Sequence, residues 1–260
     1  MHHKVTSATG SPRFYRMAPL RRVRHWPIAL LLLVNFSGIA DAQQSTPKSR
    51  ELPKTVDLRP DFERFGYLQR SQGARGTCSV FATLEAIEFE IARLEGKATP
   101  LSVEFSNWAA NDMTPRKDDG DFFHNIIGGI EKHGFCAEVT MPYQSKFDKT
   151  LTPSDEVKTV AIAQREKVKV TFHWLRDWQK KPGLEDADLL KIKETLAAGH
   201  PVSAGSYHSI LFVGYEDNDA LPGGGRLFIA DSNRREKEIS YLGAKERFCD
   251  MFWVEVAPGK

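Results

Sequence analysis

The sequence predicts an α+β fold in which helices come first along the chain and strands come later. Between residues 78 and 134, apolar residues recur at three- and four-residue steps, the period of helices that bury one face. From residue 167 onward, apolar residues alternate with polar ones or form short runs bounded by glycine, the pattern of strands. This segregation predicts a helical half and a β-rich half, with a cleft where the two halves meet.

The first predicted helix begins at Cys78 and ends before Gly96, a residue type that favours the left-handed conformation at helix ends. Its apolar stripe comprises Val80, Leu84, Ile87, Ile91 and Leu94, and its predicted solvent face carries Glu85, Glu88 and Glu90. Cys78 thus lies in the first turn, where free backbone N–H groups and the helix dipole favour an anion. A thiol in such a position tends to ionise, and the thiolate is its reactive form.

Two further helices are predicted in the first half. LSVEFSNWAAND suggests a helix with Ser102 as its N-cap. DFFHNIIGGIEKHG suggests another, capped by Asp121 and ending at Gly134. The segment MPYQSKFDKTLTPSDE, marked by two prolines, is predicted to connect the two halves.

The second half is predicted to be mostly strands. KVKVTFHW alternates apolar and polar residues, as a half-buried strand does. DADLLKIKETLAAG reads as a short helix that closes at Gly199. Further strands are predicted at HSILFVGYED, GRLFIADSN and DMFWVEVA.

The N-terminal residues predict export. RRVRHW is followed by the apolar run PIALLLLVNFSGIA and by a small-x-small site that ends at Ala42, the organisation of a secretory signal. The run is short for a membrane span, although an uncleaved signal anchor is the alternative. We therefore expect a signal peptide over 1–42, a linker over 43–52, a helical lobe over 53–150 and a β-rich lobe over 151–260. The mature protein is expected to be secreted or periplasmic, without stable membrane association.

Composition narrows the remaining function classes. There are 36 basic and 34 acidic residues and a net charge of +2, without a basic stripe, so a nucleic-acid partner is not expected. The sequence lacks the Cys-x-x-Cys and His-x-x-x-His pairs of common metal sites, and we expect neither a metal nor a cofactor. Export permits disulfides. Cys136 and Cys249 are therefore either a bridged pair or two buried free thiols, and the oligomeric state stays open.

A reactive Cys78 needs a base, and His208 is the candidate among eight histidines, since it stands at the start of the apolar strand HSILFVGY. QGARGTC, HSILFVGY and FIADSN together resemble the papain-like (C1) cysteine peptidases. Cys78 and His208 are 130 residues apart, a spacing typical of that family.

Other segments extend the resemblance over residues 52–256. LPKTVDLRPDF resembles the mature N-terminus of the family, and DFFHNIIGGIEKHGFCAEVTMPY resembles its helix leading to a Tyr-Pro-Tyr turn. The resemblance implies a two-lobed fold, with a helical N-terminal lobe, an antiparallel β-barrel-like C-terminal lobe and the active-site cleft between them. Within the family, the sequence resembles a secreted bacterial-type variant without an evident propeptide.

The resemblance also implies roles for particular residues. Cys78 is the implied nucleophile, His208 its partner in a thiolate–imidazolium pair, and Gln72 a donor to the oxyanion hole. The family orients the histidine with an asparagine of an Asn-Ser-Trp run, where this chain has Asp231, Ser232 and Asn233. Asp231 is the favoured orienter, and Asn233, two residues on along the same strand face, is the alternative. Tyr207 and Ser209, which flank His208, are candidates for the substrate pocket.

The sequence departs from the family at three positions around the site; the missing tryptophan favours weak or absent activity, whereas the other two changes remove no catalytic atom. The tryptophan that shields the histidine is missing, Ser79 replaces an aromatic residue, and Arg75 replaces a disulfide cysteine and adds positive charge near the thiol. The favoured hypothesis is an exported thiol peptidase that acts on peptides or proteins through an acyl-enzyme thioester. The alternatives are a catalytically weak or inactive papain-like binding module and a Cys-His amidase or acyltransferase. Subsite specificity and endo- or exopeptidase action stay open.

Overall fold

A computed structural model describes residues 51–259, which contain seven helices and seven strands. The predicted signal peptide and residues 43–50 of the predicted linker lie outside the described residues. The helices are α1 Arg59–Arg64, α2 Cys78–Glu95, α3 Val103–Asn111, α4 Phe123–His133, α5 Asp155–Lys167, α6 Asp186–Ala197 and α7 Tyr241–Arg247. The strands are β1 Thr55–Asp57, β2 Val168–Arg176, β3 Val202–Gly205, β4 Ile210–Asp217, β5 Gly225–Ala230, β6 Glu238–Ser240 and β7 Asp250–Pro258.

Helix α2 is the central helix of the fold. It begins at Cys78 as predicted, and Gly96 ends it with a φ of 77°, a left-handed conformation that glycine adopts without strain. Helices α3 and α4 and strands β3, β4 and β7 all pack against it. Because α2 is enclosed on so many sides, it buries more than the one apolar stripe that the sequence predicts.

The predicted solvent face of α2 is therefore wrong. Glu85, Glu88 and Glu90 are only 1%, 1% and 6% exposed, whereas Leu94 of the predicted apolar stripe is 48% exposed. Burial raises the pKa of Glu85 to about 7 and that of Glu88 to about 8. Glu88 lies against the Arg70 guanidinium and Glu90 is 3.2 Å from the Arg93 guanidinium, so two of the three buried carboxylates have the basic partner that burial demands.

The predicted N-cap of α3 is confirmed, and the predicted N-cap of α4 is wrong by one residue. Ser102 caps α3 as predicted, since its hydroxyl oxygen accepts a hydrogen bond from the Phe105 N–H at 3.0 Å. The N-cap of α4 is Phe122 and not Asp121. The Asp121 carboxylate instead accepts hydrogen bonds from the Phe122 N–H at 2.7 Å and from the Asn125 side chain at 2.9 Å.

Helix α5 was not predicted. It follows the predicted connection, and its N-cap Ser154 accepts a hydrogen bond from the Val157 N–H at 3.4 Å. Ala161 is the one fully buried residue of this helix, so the sequence carries no apolar stripe from which the helix can be recognised.

The strands form one antiparallel sheet in the order β2-β7-β3-β4-β5-β6, and β1 also pairs with β4. All the predicted strands are present. The two short strands β1 and β6 and the short helices α1 and α7 were not predicted. Because β1 precedes the helices along the chain and pairs with a strand that follows them, the N-terminal segment ties the helical part to the sheet.

The three cysteines are free thiols, so the possible Cys136–Cys249 bridge is absent. Cys136 is buried in a small apolar cluster with Phe105 and Met141, and Cys249 is partly exposed. Within residues 51–259, no helix combines the length and the apolar character that a membrane crossing requires.

Candidate active site

The Cys78 thiol lies at the first residue of α2 and is partly exposed. Its sulfur is 4.0 Å from the Gly76 carbonyl oxygen. Burial raises the pKa of this thiol, but the His208 side chain and the backbone N–H groups of Ser209 and Ser79 act against burial. Together they bring the Cys78 pKa below its ordinary value. The helix start and the imidazole thus favour the thiolate, the form that attacks an electrophile.

Strand pairing brings His208 to Asp231. Strands β4 and β5 are antiparallel, with Leu211 opposite Ala230, so the start of β4 lies beside the end of β5. His208 comes just before β4 and Asp231 just after β5. The His208 Nε2 atom is 2.7 Å from the Asp231 Oδ1 atom.

His208 is held ready to carry a proton. The Ser206 hydroxyl donates a hydrogen bond to the His208 carbonyl oxygen at 2.9 Å, which fixes the turn. Contact with the Cys78 thiol raises the His208 pKa, burial lowers it, and the hydrogen bond to Asp231 raises it, with a net shift upward. Because the Cys78 pKa is lowered and the His208 pKa is raised, the two shifts favour the thiolate–imidazolium pair.

Of the two candidate orienters, the geometry favours Asp231. The side-chain nitrogen of Asn233 is 3.5 Å from His208 Nε2, considerably farther than the carboxylate oxygen of Asp231. Asp231 is fully buried, and it also accepts hydrogen bonds from the backbone N–H groups of Asn233, Arg235 and Glu236 at 2.8, 2.9 and 3.0 Å. Burial raises the pKa of Asp231, but the hydrogen bonds from His208 and these N–H groups lower it by more. The net pKa is below its ordinary value, so the carboxylate stays ionised.

Gln72 is placed beside the thiol with its side chain fixed at both ends. The amide nitrogen donates to the Arg75 carbonyl oxygen at 2.6 Å, and the amide oxygen accepts from the Ser232 hydroxyl at 2.6 Å. A side-chain amide has two N–H donors, so one remains for another acceptor. Gln72, Cys78 and His208 line one cavity of about 360 Å³. The sequence places Ser232 in the Asp-Ser-Asn run but does not predict that its hydroxyl orients Gln72.

Arg75 holds the loop that the missing disulfide holds in the resembled family. Its guanidinium is 3% exposed and donates to Glu104 at 2.5 Å, to Asp119 at 2.8 Å and to the Gln144 carbonyl oxygen at 2.9 Å. The guanidinium also lies 4.5 Å from the centre of the Tyr143 ring. The Glu104 and Asp119 carboxylates balance the positive charge that Arg75 adds.

Substitution of Arg75 is expected to destabilise the fold. Arg75→Met removes the cation and leaves the buried Glu104 carboxylate without its charged partner, which costs about 3–5 kcal/mol in the free energy of unfolding. Urea unfolding of both proteins measures the difference. Arg64→Met is the control, since Arg64 is 67% exposed in its pair with Asp61 and is expected to contribute about 0–1 kcal/mol. Equal small losses in the two variants contradict the role of Arg75.

Tyr207 and Ser209 lie in different cavities that meet at Cys78. Tyr207 is 85% exposed, shares the cavity of Gln72 and His208, and packs under the Arg247 guanidinium. Ser209 is 6% exposed and lines a second cavity of about 220 Å³. The sequence did not identify the other residues of that second cavity, which include Asp121, Phe122, Trp178, Cys249 and Asp250.

The fold has known structural neighbours, whereas no protein-family model and no curated protein matches the chain. Procathepsin L 3 of the Tenebrio molitor larval midgut is 15% identical, with a TM-score of 0.57 over 80% of this chain and 71% of that one. Xylellain, a cysteine protease from Xylella fastidiosa, is 20% identical, with a TM-score of 0.56 over 84% of this chain and 93% of that one. The ragweed pollen cysteine protease Amb a 11, in its proform, is 20% identical, with a TM-score of 0.57 over 79% and 67% of the two chains.

These neighbours are all cysteine proteases, and they place the chain in the class of papain-like α+β folds. The resemblance inferred from the sequence motifs is confirmed at the level of the fold. The roles of Cys78, His208, Asp231 and Gln72 stay predictions, which the geometry around them supports.

Proposed function

We propose that this protein is a thiol peptidase that hydrolyses peptide bonds with Cys78 as the nucleophile and His208 as the proton carrier. The observation that carries the proposal is the placement of the Cys78 thiol, at the first residue of α2, in one cavity with His208, where the pKa of the thiol is lowered and that of the imidazole is raised. A buried carboxylate 2.7 Å from the far nitrogen of the imidazole supports the charged form of the ring. Such a pair supplies a nucleophile and an acid at neutral pH.

The first half of the reaction forms an acyl-enzyme. The Cys78 sulfur attacks the carbonyl carbon of the substrate, and the electron pair of the C=O bond moves to oxygen. The negatively charged oxygen then accepts hydrogen bonds from the free N–H of the Gln72 side chain and from the backbone N–H of Cys78, a role supported by the shared cavity of Gln72 and Cys78. His208 then donates its proton to the leaving nitrogen, the C–N bond breaks, and a thioester remains on Cys78.

The second half of the reaction releases the acid. Water attacks the thioester carbonyl carbon while neutral His208 accepts the proton from water. The C–S bond breaks, the carboxylic acid leaves, and the thiolate–imidazolium pair is restored. The Asp231 carboxylate stays ionised throughout and orients the imidazole so that its other nitrogen faces the sulfur.

Export is part of the proposal, supported by the charged, apolar and small-residue regions that end at Ala42. The mature protein is then secreted or periplasmic and begins at Gln43. N-terminal sequencing of the exported protein tests this step. An N-terminus that retains residues 1–42 on a membrane-bound product contradicts cleavage.

The test of the proposed reaction is cleavage of a mixture of unstructured peptides, with Cys78→Ser as the matched control. We expect new peptide termini with the wild type, a transient acyl adduct on Cys78 in the mass spectrum, and neither with the variant. Release of ammonia without cleavage of any peptide bond indicates amidase chemistry instead. Binding of peptides without turnover indicates a binding module, and both results overturn the peptidase proposal.

A further inference from the structure

A second cavity beside the Cys78 thiol carries an unexplained charge. The cavity of about 220 Å³ has aromatic walls from Phe122, Phe123 and Trp178. Phe122 and Trp178 are 56% and 44% exposed, and their ring centres are 5.9 Å apart in an edge-to-face arrangement. Asp250, at the start of β7, lines the same cavity. An apolar cleft beside the reacting atom is suited to a substrate side chain.

The Asp250 carboxylate is buried, and the one donor to it within residues 51–259 is its own backbone N–H. The residue is 3% exposed, and in the described part of the chain no other side chain donates to the carboxylate or forms an ion pair with it. Burial raises its pKa to about 6, so the carboxylate is still ionised at neutral pH. Because a buried charge is costly unless it is paired, an open cavity at its side identifies where a counter-charge belongs.

Gly205 makes room for this carboxylate. Gly205 pairs with Asp250 across β3 and β7 and lines the same cavity. A side chain at position 205 would start 2.0 Å from the Asp250 Oδ1 atom. The absence of a side chain at Gly205 therefore allows the carboxylate to lie across the backbone of β3.

The other charges around the cavity leave it negative. Asp121 is a second carboxylate of the lining, and its hydrogen bonds come from the uncharged Phe122 N–H and Asn125 side chain. Arg116 is the cation of the lining, but it is 78% exposed and already forms an ion pair with Asp118. Two carboxylates thus face a cavity whose one arginine has its own partner.

We propose that this cavity binds the side chain of a lysine or arginine residue of the substrate, with Asp250 as the specificity-determining residue. The inference rests on the proposed peptidase function, since the cavity adjoins the same thiol. The aromatic walls contact the methylene groups of a long basic side chain, and the cationic end pairs with the Asp250 carboxylate. A methionine side chain, similar in length but uncharged, fills the cavity without forming the ion pair.

The experiment compares peptides that differ only in a lysine, arginine or methionine residue near the cleaved bond. With the wild type we expect kcat/KM to be about 10- to 100-fold higher for one fixed position of the basic residue. Asp250→Asn keeps the size of the side chain and is expected to bring the ratio of kcat/KM between basic and methionine peptides to about one. Asp155→Asn, at a 94% exposed carboxylate, is the control and is expected to keep the preference. Equal rates for basic and methionine peptides with the wild type overturn the inference.

A binding measurement separates this inference from the proposed function. Cys249 lines the cavity and has no part in the proposed reaction, so its alkylation by iodoacetamide reports occupancy. N-acetyl-arginine methylamide is expected to slow that alkylation more than N-acetyl-methionine methylamide does, and Asp250→Asn is expected to abolish the difference. Selective protection without peptide cleavage refutes the peptidase and keeps the basic pocket. Equal protection by the two amides refutes the pocket.

Discussion

His208→Ala is expected to lower kcat/KM for peptide hydrolysis by about 10⁴-fold or more. The variant loses the cation that lowers the Cys78 pKa and the acid that protonates the leaving nitrogen. Steady-state kinetics on one peptide substrate measures the effect. His173→Ala is the control, because His173 lies on β2 and its imidazole contacts Glu255 and Trp253. A change of at most about threefold is expected there. Loss of less than about tenfold in His208→Ala contradicts the assigned role.

The same pair determines the pH dependence of the wild type. Activity needs ionised Cys78, so it falls as pH decreases through the thiol pKa, which is below its ordinary value. It also needs protonated His208, so it falls as pH increases through the imidazole pKa, which is above its ordinary value. We therefore expect a bell-shaped profile of kcat/KM against pH. A single rise near about pH 8.5, the ordinary thiol value, contradicts the ion pair.

Asp231→Asn is expected to lower kcat by about 10²- to 10⁴-fold. The imidazole and the Asn233 N–H donate to one carboxylate oxygen, and the Arg235 and Glu236 N–H groups donate to the other. The asparagine side chain of the variant has one acceptor oxygen and one NH₂ group, which cannot accept a hydrogen bond. The NH₂ group must therefore face either the imidazole and the Asn233 N–H or the N–H groups of Arg235 and Glu236. The loop that follows Asp231 folds over its second oxygen, so both side-chain oxygens must accept hydrogen bonds. A carboxylate meets this need and an amide does not, which explains an aspartate where the resembled family has an asparagine.

Asn233→Ala is the matched comparison for Asp231→Asn. It removes a contact of 3.5 Å to His208 and is expected to lower kcat by less than about tenfold. Far-UV circular dichroism and urea unfolding verify that both variants are folded. A titration of His208 by NMR is expected to give a lower pKa in Asp231→Asn than in the wild type, since Asp231 raises that pKa. A larger kinetic loss in Asn233→Ala than in Asp231→Asn makes Asn233 the orienter.

Local patterns predicted the helices and strands that have a regular apolar period. Helices α2, α3, α4 and α6 and strand β2 have that period, and strands β4, β5 and β7 are short apolar runs, whereas α5 has one buried residue and was missed. The burial of Glu85, Glu88 and Glu90 was also missed, because a sequence shows a helix's own stripe and not the elements that surround it. Partners outside the helix decide that burial, such as Arg70 for Glu88 and His200, 110 residues along the chain, for Glu90.

The sequence predicted those site residues that combine a reactive side chain with a position at the end of a recognisable helix or strand. Cys78 at a helix start and His208 before an apolar strand have local signals, and the register after β5 favours Asp231 over Asn233. The anchoring of Arg75 by Glu104 and the placement of Asp250 over Gly205 depend on pairings between distant segments. Nothing in the sequence near Asp250 distinguishes it from any polar residue at the start of a strand.

The most direct test of the account is the rate of iodoacetamide alkylation of each cysteine between about pH 4 and about pH 9, resolved by mass spectrometry. Burial raises the pKa of Cys136 to about 11 and also raises that of Cys249, so these two thiols are internal controls. We predict rapid labelling of Cys78 that persists to about pH 5 and is lost in His208→Ala, while both controls react slowly. Labelling of Cys78 that rises only near about pH 8.5, with the same profile in His208→Ala, contradicts an activated nucleophile and with it the peptidase.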